Sequence, residues 1–123
     1  MERLERAIRR TALKFHLFQS EGDFPLQTPP DLAKFQWVPV PFDVYFHKDV
    51  GGDKKQLWIW AVNKEVAEWR SVEEGFECRT GAFAKRFLVL TPKNGPSWVT
   101  TSTVQRKYPY ILTAEAKVDG GRM

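Results

Sequence analysis

The chain has 123 residues, 42% of them hydrophobic and 14% aromatic, with 19 Lys plus Arg against 15 Asp plus Glu. That content excludes a disordered tail, and one cysteine, Cys78, excludes an intramolecular disulfide, so the expected setting is cytoplasmic or another reducing compartment. The longest apolar run, Leu57 to Val62, falls far short of the ~20 residues that cross a bilayer, and the N-terminus lacks the apolar stretch of a secretory signal.

Length predicts a single domain over 1–123 with a core large enough to stand without metal or disulfide staples. The net charge of +4 is unevenly spread: +3 over 1–18, −4 over 19–75 and +5 over 76–123. Segregated charge of this kind steers anionic or complementary partners.

Taken in chain order, residues 1–18 predict an amphipathic helix. Leu4, Ile8, Thr11, Phe15 and Phe18 recur at helical spacing, and Glu2 and Glu5 stand four residues before Arg6 and Arg9. Residues 19–34 read as a Pro-rich loop, interrupted by Gly22, Pro25, Pro29 and Pro30. The sheet is expected over 35–118. It starts with a period-two stretch from Gln36 to His47, in which Val38, Val40, Phe42, Val44 and Phe46 share one face. Pro39 and Pro41 make its first half an edge or irregular strand.

Asp49 to Lys55, with Gly51-Gly52, reads as a hairpin loop, and Leu57 to Val62 as a strand covered on both faces. Asn63 is placed to cap a short helix near 64–74 that turns Val66 and Trp69 inward and stops at Gly75. A strand from Phe83 to Thr91 follows, joined through Asn94-Gly95 to Ser97–Gln105. The last strand, Tyr110 to Val118, leaves 119–123 as a frayed tail. The expected fold is α+β. A long N-terminal amphipathic helix packs on a curved, mostly antiparallel sheet of five or six strands with one short internal helix. The outline is cone-like, with a small β-barrel such as an OB-fold as the alternative.

Catalytic and metal chemistry find little footing. Asp43, Tyr45 and His47 share a strand face and are candidates for a pocket. At ~3.3 Å per residue, Asp43 and His47 stand about 13 Å apart, so a dyad needs a partner from another element. Cys78 reads as a buried small hydrophobe, since nothing brings it to His16 or His47. These residues show no metal-ligand spacing, and Glu73-Glu74 reads as a solvated pair, so no metal or cofactor is expected. Gly51-Gly52-Asp53-Lys54-Lys55 lacks the phosphate-loop pattern, and Ser97 and Thr100 to Thr103 lack a nucleophile elbow.

The remaining constellation interleaves cations and rings: Phe83, Lys85, Arg86 and Phe87, then Arg106, Lys107, Tyr108 and Tyr110. Bases offer π-faces and phosphates offer charge, so this mixture suits single-stranded nucleic acid or a ribonucleoprotein. Phe83, Lys85 and Phe87 share a face if their strand is regular, and Trp58 and Trp60 extend the platform. The leading expectation is thus a non-catalytic nucleic-acid-binding protein. The alternative is a protein–protein interaction module: an accessory subunit of an assembly, or a small inhibitor of the kind viruses and plasmids encode. The Pro-rich loop and the surplus of Trp and Phe serve its interface, and an exposed apolar patch is then required. A third reading is a small enzyme or ligand binder around Asp43, Tyr45 and His47.

Overall fold

The structure is a computed structural model that describes residues 1–51 and 54–112, most of them in strands. The chain divides into two compact units, Met1–Glu73 and Glu74–Met123.

In the first unit, β1 (Glu2–Ala7), β2 (Lys14–Gly22), β3 (Val44–Asp49), β4 (Lys54–Asn63) and β5 (Val66–Val72) form one sheet in the order β1-β2-β3-β4-β5. All neighbours are antiparallel except β2 and β3. The sheet is open, with β1 and β5 at its two ends, so the OB-like barrel is not formed.

The long N-terminal helix is replaced by the β1–β2 hairpin, which pairs Leu4 with Leu17 and Arg6 with Phe15. Apolar spacings of three and four fit a helix, but Phe15 and Leu17 also share one face of a strand with Phe18 on the other, which suits a strand buried on both faces. Phe15, Leu17 and Phe18 are all buried. Thr11, expected on the helix stripe, instead closes the turn: its Oγ1 donates to the Ile8 carbonyl at 2.8 Å. Arg10 takes the left-handed conformation there, at φ 65°.

The internal helix near 64–74 is likewise a strand, β5. Lys64, at φ 57°, turns the chain, and the ladder from Asn63–Val66 to Leu57–Val72 sets Trp60 opposite Trp69. A cross-strand aromatic pair outweighs the weak helical preference of this short segment.

The period-two stretch from Gln36 becomes a strand only at Val44. Pro39 and Pro41 cannot donate to a ladder, and Val38 is left 80% exposed. The link from β2 to β3 runs over one sheet face and contains a 3-10 turn at Leu32–Phe35, which Asp31 caps by accepting from the Ala33 N–H at 2.9 Å. Beneath it Phe18, Leu32, Tyr45 and Trp58 form a buried cluster, with Leu26, Trp37 and Trp69 against it.

In the second unit, β6 (Glu77–Cys78), β7 (Arg86–Thr91) and β8 (Gly95–Thr100) form an antiparallel sheet, followed by α1 (Thr101–Lys107). The expected strand Ser97–Gln105 therefore ends at Thr100. The Asn94-Gly95 hairpin forms with Thr91 paired to Gly95, and only Gly95 of the two takes positive φ, at 70°. Residues 109–112 are helical, which displaces the start of the expected strand Tyr110–Val118. The rest of that strand and the tail lie outside the described residues, as do Gly52 and Asp53. The core of this unit gathers Phe87, Val89, Val104 and Ile111.

Candidate functional site

The β2–β3–β4–β5 ladder carries one sheet face on which polar and aromatic side chains alternate in rows. Register places Phe18, Tyr45 and Trp58 in one row, and Trp60 beside Trp69 two residues further along β4. The segment 23–42 crosses this face, and its partners are fixed by hydrogen bonds. Gln56 accepts from the Leu26 N–H at 2.8 Å and donates to the Leu26 carbonyl at 2.7 Å.

Asp43, just before β3, and Tyr45 and His47 within it are all buried. Asp43 meets a histidine from another element: its carboxylate accepts from the His16 N–H at 2.8 Å and from the Val40 N–H at 2.9 Å, and contacts His16 Nδ1 at 3.2 Å. His47 lies 2.9 Å from the Phe24 carbonyl through Nε2 and 2.8 Å from Ser20 Oγ through Nδ1. A carbonyl only accepts, so Nε2 carries the proton. Nδ1 then accepts from Ser20, whose oxygen accepts from the Tyr45 hydroxyl at 2.9 Å. Burial raises the Tyr45 pKa, opposed by that bond to Ser20. Asp43 and His47 tie segment 23–42 to the sheet through Val40 and Phe24, while Tyr45 and Ser20 join β3 to β2. A satisfied network of this kind fixes the conformation of the groups it joins.

Above this layer segment 23–42 and the β4–β5 hairpin leave an open groove of about 400 Å³. Trp37, Trp60 and Trp69 form its aromatic wall, and Pro29, Pro30 and Pro39 line it with Leu32 and Val38. The Trp60 and Trp69 rings meet edge to face with centroids 5.1 Å apart, and Trp37 stacks on Phe35 at 4.9 Å. Two cations rest on these rings. The Arg3 guanidinium lies 5.5 Å from the Trp37 centroid, and Lys34 Nζ 5.5 Å from that of Phe35. Among the described residues, the indole N–H groups of Trp37, Trp60 and Trp69 have no hydrogen-bond acceptor.

The sequence contained a signal for this site. Trp60 and Trp69 are symmetric about Lys64-Glu65, as cross-strand partners of a two-residue hairpin are, and prolines flank Trp37 on both sides.

The basic and aromatic residues of the second unit are arranged differently from the expected platform. Phe83 sits on a 3-10 turn and packs against Trp98, and Phe87 joins the core; both are buried. Lys85 is exposed but left-handed, at φ 67°, just before β7. Arg86 opens β7 and is half-buried, opposite Thr100. Arg106 and Lys107 are exposed on the last turn of α1, Tyr108 packs on the core, and the exposed Tyr110 donates to Glu74 at 2.9 Å. Trp58 is buried beneath segment 23–42.

The Cys78 thiol is buried and donates to the Thr80 carbonyl; burial pushes its pKa up, away from thiolate chemistry. Among the described residues no three His, Cys, Asp or Glu side chains gather as metal ligands. No helix of the described residues is long and apolar enough to cross a membrane. No family model, curated protein or solved structure matches this chain.

Proposed function

We propose that the chain is a non-catalytic protein-binding module whose docking site is the Trp37–Trp60–Trp69 groove, consistent with an accessory subunit or a small inhibitor. What supports this reading is an open apolar groove walled by three tryptophans. Phe35, stacked on Trp37, is exposed, as is Val38 on the groove wall. Trp is the residue type most concentrated in interface hot spots, and a concave apolar site with a few polar groups is the usual form of a binding site.

Nucleic-acid binding is the second reading. The exposed Arg106 and Lys107 beside Tyr108 favour it, although the two phenylalanines meant for stacking are buried. Selection of peptide ligands on the full chain separates the two. The docking reading expects ligands that bind the native chain and lose at least tenfold affinity on Trp37→Ala or Trp69→Ala. Salt-sensitive binding of single-stranded RNA or DNA that is unaffected by these changes and lost in Arg106→Gln/Lys107→Gln contradicts it.

A further inference from the structure

The chemistry of the groove walls narrows its ligand, given that the groove is a protein-docking site. We infer that it takes an extended, proline-rich segment of a partner protein that carries acidic side chains next to its prolines.

Three observations carry this. The first is shape and surface: Trp37, Trp60 and Trp69 line the groove together with Pro29, Pro30 and Pro39, so its wall is built of indole and proline rings rather than of flexible side chains. Aromatic-lined grooves take proline rings well, because a polyproline segment is already ordered and loses little entropy on docking.

The second is donor chemistry. Three of the residues lining the groove, Trp37, Trp60 and Trp69, carry indole N–H groups that have no acceptor among the described residues. A docked helix has satisfied its own carbonyls and leaves such donors unpaired, which weakens its binding. A polyproline segment has no internal hydrogen bonds, so its carbonyls are free to accept.

The third is charge. Arg3 and Lys34 lie over the Trp37 and Phe35 rings, and neither has an ion-pair partner among the described residues. Asp31 on the groove wall caps the 3-10 turn through Oδ1 and keeps its negative charge, and the two cations beside the groove outnumber it. A ligand with carboxylates beside its prolines meets both cations, while a basic ligand meets two like charges.

The test titrates the full chain into a fluorescein-labelled peptide of six consecutive prolines flanked on each side by two glutamates, read by anisotropy. A matched peptide has glycine for every proline, and another has lysine for every glutamate. The expected result is saturable binding in the range of about 10–100 μM. Affinity falls at least tenfold for the glycine peptide and severalfold for the lysine peptide. Trp60→Phe and Trp69→Phe keep the ring and remove the N–H, and each weakens binding about three- to tenfold. Arg3→Gln/Lys34→Gln, a surface change, abolishes the preference for glutamate over lysine without altering the glycine penalty.

Groove-dependent binding in which the glycine or lysine peptide does as well as the parent overturns this inference and leaves the docking reading intact. No groove-dependent binding of any of the three peptides at millimolar concentration also overturns it. If ligand selection fails as well, the docking reading falls with it.

Discussion

Asp43 and His16, 27 residues apart, are joined twice: the Asp43 carboxylate accepts from the His16 backbone N–H at 2.8 Å and lies 3.2 Å from its ring Nδ1. Asp43 is fully buried, and it also holds the Val40 N–H at 2.9 Å. It therefore ties β2 to the end of segment 23–42, just where that segment enters β3.

Asp43→Ala leaves two backbone donors and the ring of His16 without their acceptor. The expected loss is about 2–4 kcal/mol, read by urea unfolding, with Asp43→Asn costing less because one amide oxygen remains. A loss within 0.5 kcal/mol of zero would show that the pair does not hold the segment.

The Tyr45–Ser20–His47 chain runs in one direction, ending on the Phe24 carbonyl. Tyr45→Phe and Ser20→Ala each remove a link, and the second change costs less once the first is made. A double-mutant cycle is expected to give a coupling of about 0.5–1.5 kcal/mol; strict additivity contradicts the chain.

Little of this arrangement was legible residue by residue. Period two puts Asp43, Tyr45 and His47 at alternate positions, and all three are buried. Their partners Ser20, His16 and Phe24 come from β2 and the loop behind it, which helical spacing hid. The 4-3-4-3 spacing of apolar residues in 1–18 satisfies a helix, yet Phe15–Phe18 also satisfies a doubly covered strand, and long-range pairing with β3 decided between them. Val66 and Trp69 misled in the same way: their three-residue spacing is helical, but Trp69 finds Trp60 across the hairpin. Phe83 and Phe87 were expected on one strand face; the break at Gly81, φ 74°, starts a 3-10 turn instead and sends both rings inward.

Tyr110 provides a pH signature. Partial desolvation of the hydroxyl of this otherwise exposed residue, the hydrogen bond to Glu74 and the charge of that carboxylate push its pKa from 10.0 up to about 12. An acid held protonated in the fold stabilises it fully below the unfolded pKa, and that contribution is lost as pH rises through the folded one, here between 10 and about 12. Absorbance at ~295 nm should therefore lose a transition near pH 12 in Tyr110→Phe, and shift it downward in Glu74→Gln. A Tyr110 transition at the ordinary value contradicts the contact.

Gly75 adopts φ 97°, and a Cβ there stands 3.1 Å from Ile111 Cγ2 in the core of the second unit. Gly75→Ala is expected to cost about 1–3 kcal/mol from strain and crowding together. Ile111→Val, which opens space at that contact, should recover part of the loss; no recovery assigns the cost to the backbone alone.

Five tryptophans give five indole N–H signals in a 15N–1H spectrum, each assignable by a Trp→Phe variant, and they distinguish the groove from everything else. On addition of a selected peptide ligand, the signals of Trp37, Trp60 and Trp69 should shift together and saturably, while those of the buried Trp58 and Trp98 stay in place. Shifts centred on Trp98, or a bound peptide that leaves all three groove signals unmoved, would contradict a docking site at this groove.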